Sequence, residues 1–295
     1  MKRLFQKHLV ASVGVLALAS ACGGAMDDVD QADAVQQPGS RIHVMKKTQP
    51  GDEANTRTAQ VAAHLNYYGG PVLTHVNVIP VYWNSSVAYQ SNLNSFYSAI
   101  PASSTIYTTL LGQYSGIGTG TRGTPYVDTK TTGTYTDAQV QAELNRLFTA
   151  GVIPQPNGSN YYPVHFPSGV TVVDSSGSAS CTQWCAYHGT YVRNGVNVNY
   201  GIIPDQGGGC AGGCGSNSQR VNNLTSVSSH ELVEATTDPA VGLALDYAPP
   251  LAWYDPTYGE IGDICNASQA TITVGTTSYV VQKEWSNSKG VCTTN

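Results

Sequence analysis

Six cysteines between positions 181 and 292 set the strongest limit on how this chain folds. They are Cys181, Cys185, Cys210, Cys214, Cys265 and Cys292. An even number of cysteines in an exported chain favours disulfides. We predict the pairs Cys181–Cys185, Cys210–Cys214 and Cys265–Cys292, of which the third would fasten the C-terminus. A zinc site made from the first four cysteines is a weaker alternative, because export favours oxidation.

The N-terminus predicts export. A basic start is followed by a short apolar run at residues 9–18 and by small residues before Cys22. This pattern is typical of a signal peptide, residues 1–21, and the apolar run is too short to span a membrane. Cys22 resembles the lipidated cysteine of a bacterial lipoprotein, so lipidation and plain cleavage both stay open. We expect a secreted protein or an outer-membrane lipoprotein of a bacterium.

Charge excludes some classes of partner. Removal of residues 1–21 takes away three bases and no acids, which leaves 11 bases against 19 acids and a net charge of −8. A chain this acidic is not expected to bind nucleic acid or an anionic membrane. Only 11% of all residues are charged, as suits an extracellular surface. We expect a monomer that acts on an extracellular protein or peptide.

The order of predicted elements indicates one mixed α/β (α+β) domain over residues 61–295, after a flexible linker or pro-region at residues 22–60. The fold class that we predict is a zincin-like twisted mixed sheet backed by helices, with an irregular, disulfide-pinned C-terminal third. Strands are predicted at residues 71–83, 161–166, 170–174, 189–192 and 196–204, and helices at 91–99 and 136–148.

The segment Ser229–Pro239 carries the clearest chemical motif. It reads as a helix that ends at Pro239, with His230 and Glu234 four residues apart and therefore on one face. A zincin helix presents two metal ligands at this spacing, with the intervening glutamate free to activate water. Here the second ligand is a glutamate instead of a histidine.

The surrounding residues predict a bound cation. Between Val221 and Gln282 the chain has no Lys or Arg but seven acids, which are Glu231, Glu234, Asp238, Asp246, Asp255, Glu260 and Asp263. Buried like charges repel unless a counter-ion offsets them. We predict His230, Glu234 and Asp263 as ligands, with Glu260 as the alternative third ligand. Glu231 would be the general base. Asp238 and Tyr254 are expected to contact the metal ligands and hold them in position without binding the metal themselves.

Glu231 and His188 each have an alternative interpretation. Ser228 and Glu231 match a capping box, so Glu231 would only cap the helix if the helix began at Ser229. His188 lies in Cys181–Gly189 and is a candidate catalytic residue that donates to the transition state. It could equally be a metal ligand or a polar residue of a disulfide-bound loop.

Four segments together resemble the phosphate-induced, or EXORDIUM-like, family of extracellular proteins. They are Gly70–Leu73, Cys181–Gly189, Ser229–Pro239, and Ala252–Tyr254 with Glu260–Cys265. The resemblance implies an extracellular location and a shared set of site residues, but no particular activity. The bacterial type of export signal differs from the plant pattern of that family.

The sequence favours an exported metal-dependent hydrolase, a zincin-like metallopeptidase that uses zinc. Calcium or manganese would also suit a site rich in carboxylates. The alternative is a non-catalytic extracellular module that binds a cell-wall glycan or a protein and holds a structural cation such as calcium.

Overall fold

The structure, a computed structural model, describes residues 44–48 and 63–295. The predicted signal peptide and Cys22 lie outside the described residues, as does most of the predicted linker. Residues 44–46 of that linker nevertheless form a strand, which pairs antiparallel with the segment Trp184–Tyr187. The predicted spacer therefore contributes a strand to the domain. No helix among the described residues has both the length and the apolar character needed to cross a bilayer.

The described strands are numbered in chain order. They are β1 (Val44–Lys46), β2 (Asn66–Tyr67), β3 (Asn77–Val78), β4 (Val81–Tyr82), β5 (Thr121–Arg122), β6 (Tyr126–Val127), β7 (Gly133–Thr136), β8 (Asn160–His165), β9 (Val170–Val173), β10 (Trp184–Arg193), β11 (Val196–Ile203), β12 (Trp253–Tyr254), β13 (Gln269–Val274), β14 (Thr277–Gln282), β15 (Glu284–Ser286) and β16 (Val291–Thr293).

Eight of these strands form one mixed sheet. Six of them follow the order β1-β10-β11-β8-β3-β5, and β4 and β6 lie off this path. The strand β4 continues this arrangement by pairing with β6 and β8. Strands β1 and β11 run antiparallel to β10, whereas the pairings of β8 with β11, β3 and β4 are parallel. Every residue of β8 is buried, which agrees with its central position in the sheet.

The strand predicted at residues 71–83 is shorter than expected. Only β3 and β4 are strands, and residues 71–76 are not. Pro80 separates the two strands because it has no N–H for the ladder. Its carbonyl still accepts a hydrogen bond from Tyr126 N at 2.9 Å. Both faces of this segment are buried, since Val78, Ile79 and Val81 are all buried.

Within residues 44–48 and 63–295, three α-helices accompany the sheet: α1 (Gln90–Ala99), α2 (Asp137–Thr149) and α3 (Arg220–Thr237). The first two lie within one or two residues of the predicted positions. Thr136 caps α2, in a capping box with Gln139.

Helix α3 begins at Arg220, well before Ser229. Ser228 and Glu231 therefore lie inside the helix, so the capping reading of Glu231 was wrong. The helix is buried from Asn223 to Thr237 and packs against β8, β10, β11 and β14. It ends at Asp238, directly before Pro239, because a residue that precedes proline is disfavoured in helical geometry.

Two of the three predicted disulfide pairs were wrong. The structure joins Cys181 to Cys210 and Cys185 to Cys214, with Cα–Cα distances of 4.3 and 5.4 Å, whereas Cys265–Cys292 was predicted correctly. Cys185 lies in β10 and Cys181 lies in the turn that leads into it. Residues 181–183 form a turn, so chain geometry within the segment does not decide the pairing; it is decided by which cysteines the fold brings close together. The glycine-rich loop at 207–215 runs alongside and supplies a partner for each cysteine.

The C-terminal third is irregular, as predicted. Short 3-10 turns and the small sheets β12-β2, β13-β14 and β15-β16 replace long elements there. The described residues thus form a mixed α/β fold in which α3 packs on the mixed sheet and a disulfide-pinned loop region follows it.

Candidate metal centre

Helix α3 brings His230 and Glu234 together. Their side chains lie one turn apart, and His230 Nε2 is 3.1 Å from Glu234 Oε1. A carboxylate oxygen of Glu231 lies within 4.8 Å of ligand atoms of both residues. We call His230, Glu231 and Glu234 the helix cluster. All three side chains are buried, at 0–1% exposure.

A second group of ligand atoms shares Glu234. His188 in β10 places its Nε2 atom 3.2 Å from both carboxylate oxygens of Glu260 and 3.8 Å from Glu234 Oε2. We call His188, Glu234 and Glu260 the strand cluster. His188 and Glu260 are also buried, at 0–1% exposure. Among the residues that the structure describes, the two clusters are the groups of at least three potential ligands that it brings together.

The loop after β12 closes over the helix face at Gly262. A Cβ atom at this position would lie 2.6 Å from His230 Nδ1 and 2.8 Å from Glu234 Oε1. Only a residue without a Cβ allows this approach. The loop can then lay the backbone N–H of Asp263 3.1 Å from Glu234 Oε1, to which it donates a hydrogen bond.

Gln282 orients the imidazole of His230. Its Nε2 atom donates to the carbonyl of Gly262 and to His230 Nδ1, both at 2.8 Å. Its backbone N–H donates to Ser229 Oγ on the same helix. In the neutral ring, an accepting Nδ1 leaves the proton on Nε2, which lies 3.1 Å from Glu234 Oε1. A metal at Nε2 would take the place of this proton, and Gln282 would hold the ring in position.

Burial and like charge control the protonation of the acids. Burial raises the pKa of Glu231 well above its usual value; His230 opposes this shift, and Glu234 adds to it. Neither oxygen of Glu231 makes a hydrogen bond of normal geometry to the described residues, although the backbone of His188 is near enough to offset part of the shift. Burial, with Glu234 and Asp238 next, also raises the pKa of Glu260.

The pKa of His230 shifts in the direction expected for an imidazole beside several carboxylates. Burial alone would lower the pKa of its imidazole, but the neighbouring carboxylates, Glu234 foremost, raise it well above the usual value. The site therefore favours positive charge strongly enough to overcome the cost of burial. The same field would stabilise a metal cation.

The remaining predicted residues surround the two clusters without joining them. Asp263, the predicted third ligand, belongs to neither cluster among the described residues; its Oδ2 atom accepts from Glu260 N at 3.3 Å. Glu260, the alternative, lies in the strand cluster. Asp238 is buried and accepts from Ala252 N at 3.0 Å, which fixes the segment before Tyr254.

A cavity of about 330 Å³ adjoins the site on the side of Asp263. Its wall combines β1 with the loop after β12. The lining residues are Val44, Lys46, Tyr254, Thr257, Tyr258, Gly259, Asp263 and Asn266. Tyr254 therefore faces this cavity. Asp263 lines the cavity and donates its backbone N–H to Glu234, so the cavity reaches the residues next to the site.

Three functional candidates were missed at the level of sequence: Gln282, Glu284 and Tyr161. Glu284 is fully buried, and neither of its oxygens makes a hydrogen bond of normal geometry within the described chain. Burial raises its pKa; His230 lowers it and Glu234 raises it further, so the group faces the helix cluster. Burial likewise raises the pKa of Tyr161, with Tyr97 and Glu231 contributing. The segment Val280–Trp285 also contains Gln282 and Lys283, so no apolar pattern singles out Glu284 in the sequence.

Comparisons with models of protein families, with characterised proteins and with solved structures found no match. The similarity to EXORDIUM-like proteins stays a prediction from the sequence motifs.

Proposed function

We propose that the chain is an exported metal-dependent hydrolase, a zinc metallopeptidase of zincin type. The observation that carries this proposal is the helix cluster, in which His230 and Glu234 meet Glu231. The carboxylate of Glu231 is buried and makes no hydrogen bond of normal geometry to the described residues. Export is supported by the signal-like N-terminus and by the three disulfides of the described region. The similarity to EXORDIUM-like proteins is compatible with an extracellular location.

The donor set fits a zinc-sized ion. Zinc bonds of ~2.0–2.1 Å imply ligand atoms about 3.3 Å apart in a tetrahedral site. The distances from His230 Nε2 to Glu234 Oε1 and from His188 Nε2 to Glu260 are 3.1 and 3.2 Å. Imidazole nitrogen with carboxylate oxygen suits zinc or manganese better than calcium, which prefers oxygen alone. His230 and Glu234 of the helix cluster are the residues that would hold the metal, with Glu231 beside it.

The roles of the protein groups follow from this arrangement. A bound metal would lower the pKa of a coordinated water and polarise the scissile carbonyl. Glu231 accepts the proton of the attacking water and then donates it to the leaving amine. Burial raises the pKa of Glu231, which is the direction expected of a glutamate that acts as both base and acid. Gln282 and Gly262 keep His230 in place.

The decisive comparison is between the unmodified chain and Glu231→Gln. We expect both proteins to bind zinc and only the unmodified chain to cleave casein or gelatin, with activity lower by about 10²-fold or more in the variant. The exposed Asp246 supplies a matched control, since Asp246→Asn makes the same carboxylate-to-amide change away from the site. Absence of cleavage by the zinc-loaded chain would overturn the hydrolase proposal.

The burial of the site favours a second candidate, a non-catalytic extracellular module with a structural cation. All five residues of the two clusters are 0–1% exposed, whereas a catalytic metal needs room for substrate. For this candidate we expect metal binding to raise the unfolding temperature, with no cleavage of any peptide substrate.

A further inference from the structure

We propose that Glu234 bridges two metal ions, one in the helix cluster and one in the strand cluster. The inference rests on the proposed metal site and extends it from one ion to two. The strand-cluster ion would be held by His188, Glu260 and Glu234. The helix-cluster ion would be held by His230 and Glu234, with Glu231 beside its open positions.

The two oxygens of Glu234 face different histidines. Oε1 lies 3.1 Å from His230 Nε2, and Oε2 lies 3.8 Å from His188 Nε2. A carboxylate placed in this way can give one oxygen to each ion. Paired metal ions in hydrolases lie ~3.5–4 Å apart, a separation that a bridging carboxylate spans.

Each cluster forms without the histidine of the other. His188, Glu234 and Glu260 form one group whose ligand atoms are mutually within 4.8 Å, and His230, Glu231 and Glu234 form the second. Neither group contains both histidines. The chain thus supplies two sets of ligands with a single shared member, as a two-ion site requires.

The charge at the site also favours two ions. Glu231, Glu234, Glu260, Asp238 and Glu284 are buried side by side, with Asp263 half-buried beside them. One divalent cation would offset fewer than half of these six carboxylates, whereas two would offset most of them.

The backbone holds Glu234 in the bridging orientation. Asp263 N donates to Oε1, and Asp263 Oδ2 accepts from Glu260 N. The loop Glu260–Asp263 thereby ties a ligand of the strand cluster to the shared carboxylate. Ligating carboxylates are commonly fixed by such hydrogen bonds.

Metal stoichiometry tests the bridge. The full purified chain is stripped with chelator, titrated with Zn²⁺ alone and analysed by elemental mass spectrometry. We expect two zinc ions per chain, one in Glu260→Gln, which keeps the helix cluster, and two in the control Asp246→Asn. Circular dichroism checks that each variant is folded. Two ions in Glu260→Gln would refute the ligand assignment.

A second measurement needs no variant. Loading with Mn²⁺ should give the exchange-coupled electron paramagnetic resonance spectrum of two close ions. One ion per chain with an uncoupled spectrum would overturn the bridge but leave the single-metal hydrolase proposal in place. No bound metal would overturn both, so the two failures are distinguishable.

Discussion

At the residue scale, the site depends on one small residue and one orienting amide. Gly262 has an ordinary backbone conformation for any residue, with φ −82°. Its requirement for glycine therefore comes from close approach to His230 and Glu234, and not from backbone strain. Gln282 fixes the same imidazole from the other side, in a strand that is distant in sequence.

Substitution Gly262→Ala should displace the loop from helix α3. We expect a loss of about 1–3 kcal/mol in the free energy of unfolding from overpacking. Zinc affinity should fall about 10- to 100-fold, because His230 and Glu234 lose their orientation. Chemical denaturation and zinc titration measure the two effects. Gly158→Ala is the matched control, since a Cβ there meets no atom within 4 Å; an equal effect of both variants would contradict the packing explanation.

His165 should make the stability of the fold depend on pH. This residue of β8 is buried, and burial lowers its pKa to about 3 from the ordinary 6.5. Below pH 6.5 the imidazole of His165 is protonated in the unfolded chain, whereas in the folded chain it stays neutral until the pH approaches 3. The contribution of His165 to stability therefore falls as the pH falls towards 3. The loss is roughly 5 kcal/mol at most, from the cost of ~1.4 kcal/mol per pKa unit.

The variant His165→Gln isolates the contribution of His165 to the pH dependence of stability. Its amide can still reach the hydroxyl of Tyr97, which His165 Nε2 contacts at 3.0 Å. We expect the free energy of unfolding of the variant to decrease less than that of the unmodified chain between pH 7 and pH 4. The buried carboxyls with raised pKa values act in the opposite direction in both proteins, so they cancel in the comparison. Parallel pH profiles would show that His165 does not titrate on unfolding.

At the element scale, β10 is the element that organises the site. It pairs with β1 and β11, carries His188, and begins where two disulfides join it to the glycine-rich loop at 207–215. Helix α3 packs across it. The disulfides therefore fasten the strand that carries one half of the candidate metal site.

The disulfide pairing can be checked directly by peptide mapping. Cleavage after Arg146, Arg193 and Arg220 leaves Cys181 and Cys185 in one peptide and Cys210 and Cys214 in another. Because the disulfides join β10 to the loop, we expect the two peptides to stay linked without reductant and to separate with it. Separate peptides before reduction would instead support pairs between cysteines four residues apart.

At the scale of the whole molecule, buried negative charge is concentrated where α3, the loop after β12 and β15 meet. Glu231, Glu260 and Glu284 approach one another there, although they lie far apart along the chain. Without a bound cation, the fold must protonate these groups or tolerate their repulsion. Folding and metal binding are therefore expected to be coupled.

Chelation should destabilise the fold. We expect a chelator to lower the unfolding temperature and excess Zn²⁺ to restore it, with a difference in stability of about 4 kcal/mol at a zinc concentration near 1,000 times the dissociation constant. Differential scanning calorimetry measures the shift. Glu234→Gln, which lacks the shared ligand, should respond weakly to either treatment. An unfolding temperature that chelator leaves unchanged in the unmodified chain would count against a metal in the native fold.

The sequence alone determined the elements with local signals. The helix predicted at residues 136–148 located α2, the strands predicted at 161–166 and 196–204 located β8 and β11, and the spacing of His230 and Glu234 put both on one helix face. These features depend on residues a few positions apart, which interact whatever the rest of the chain does.

Only the tertiary structure decided which distant residues meet. It paired Cys181 with Cys210, brought His188 and Glu260 to Glu234, and placed Gln282 and Glu284 beside His230. These contacts depend on strand register and on how α3 crosses β10, which are set by packing of the whole core. The helix motif therefore identified half of the site, and the fold supplied the rest.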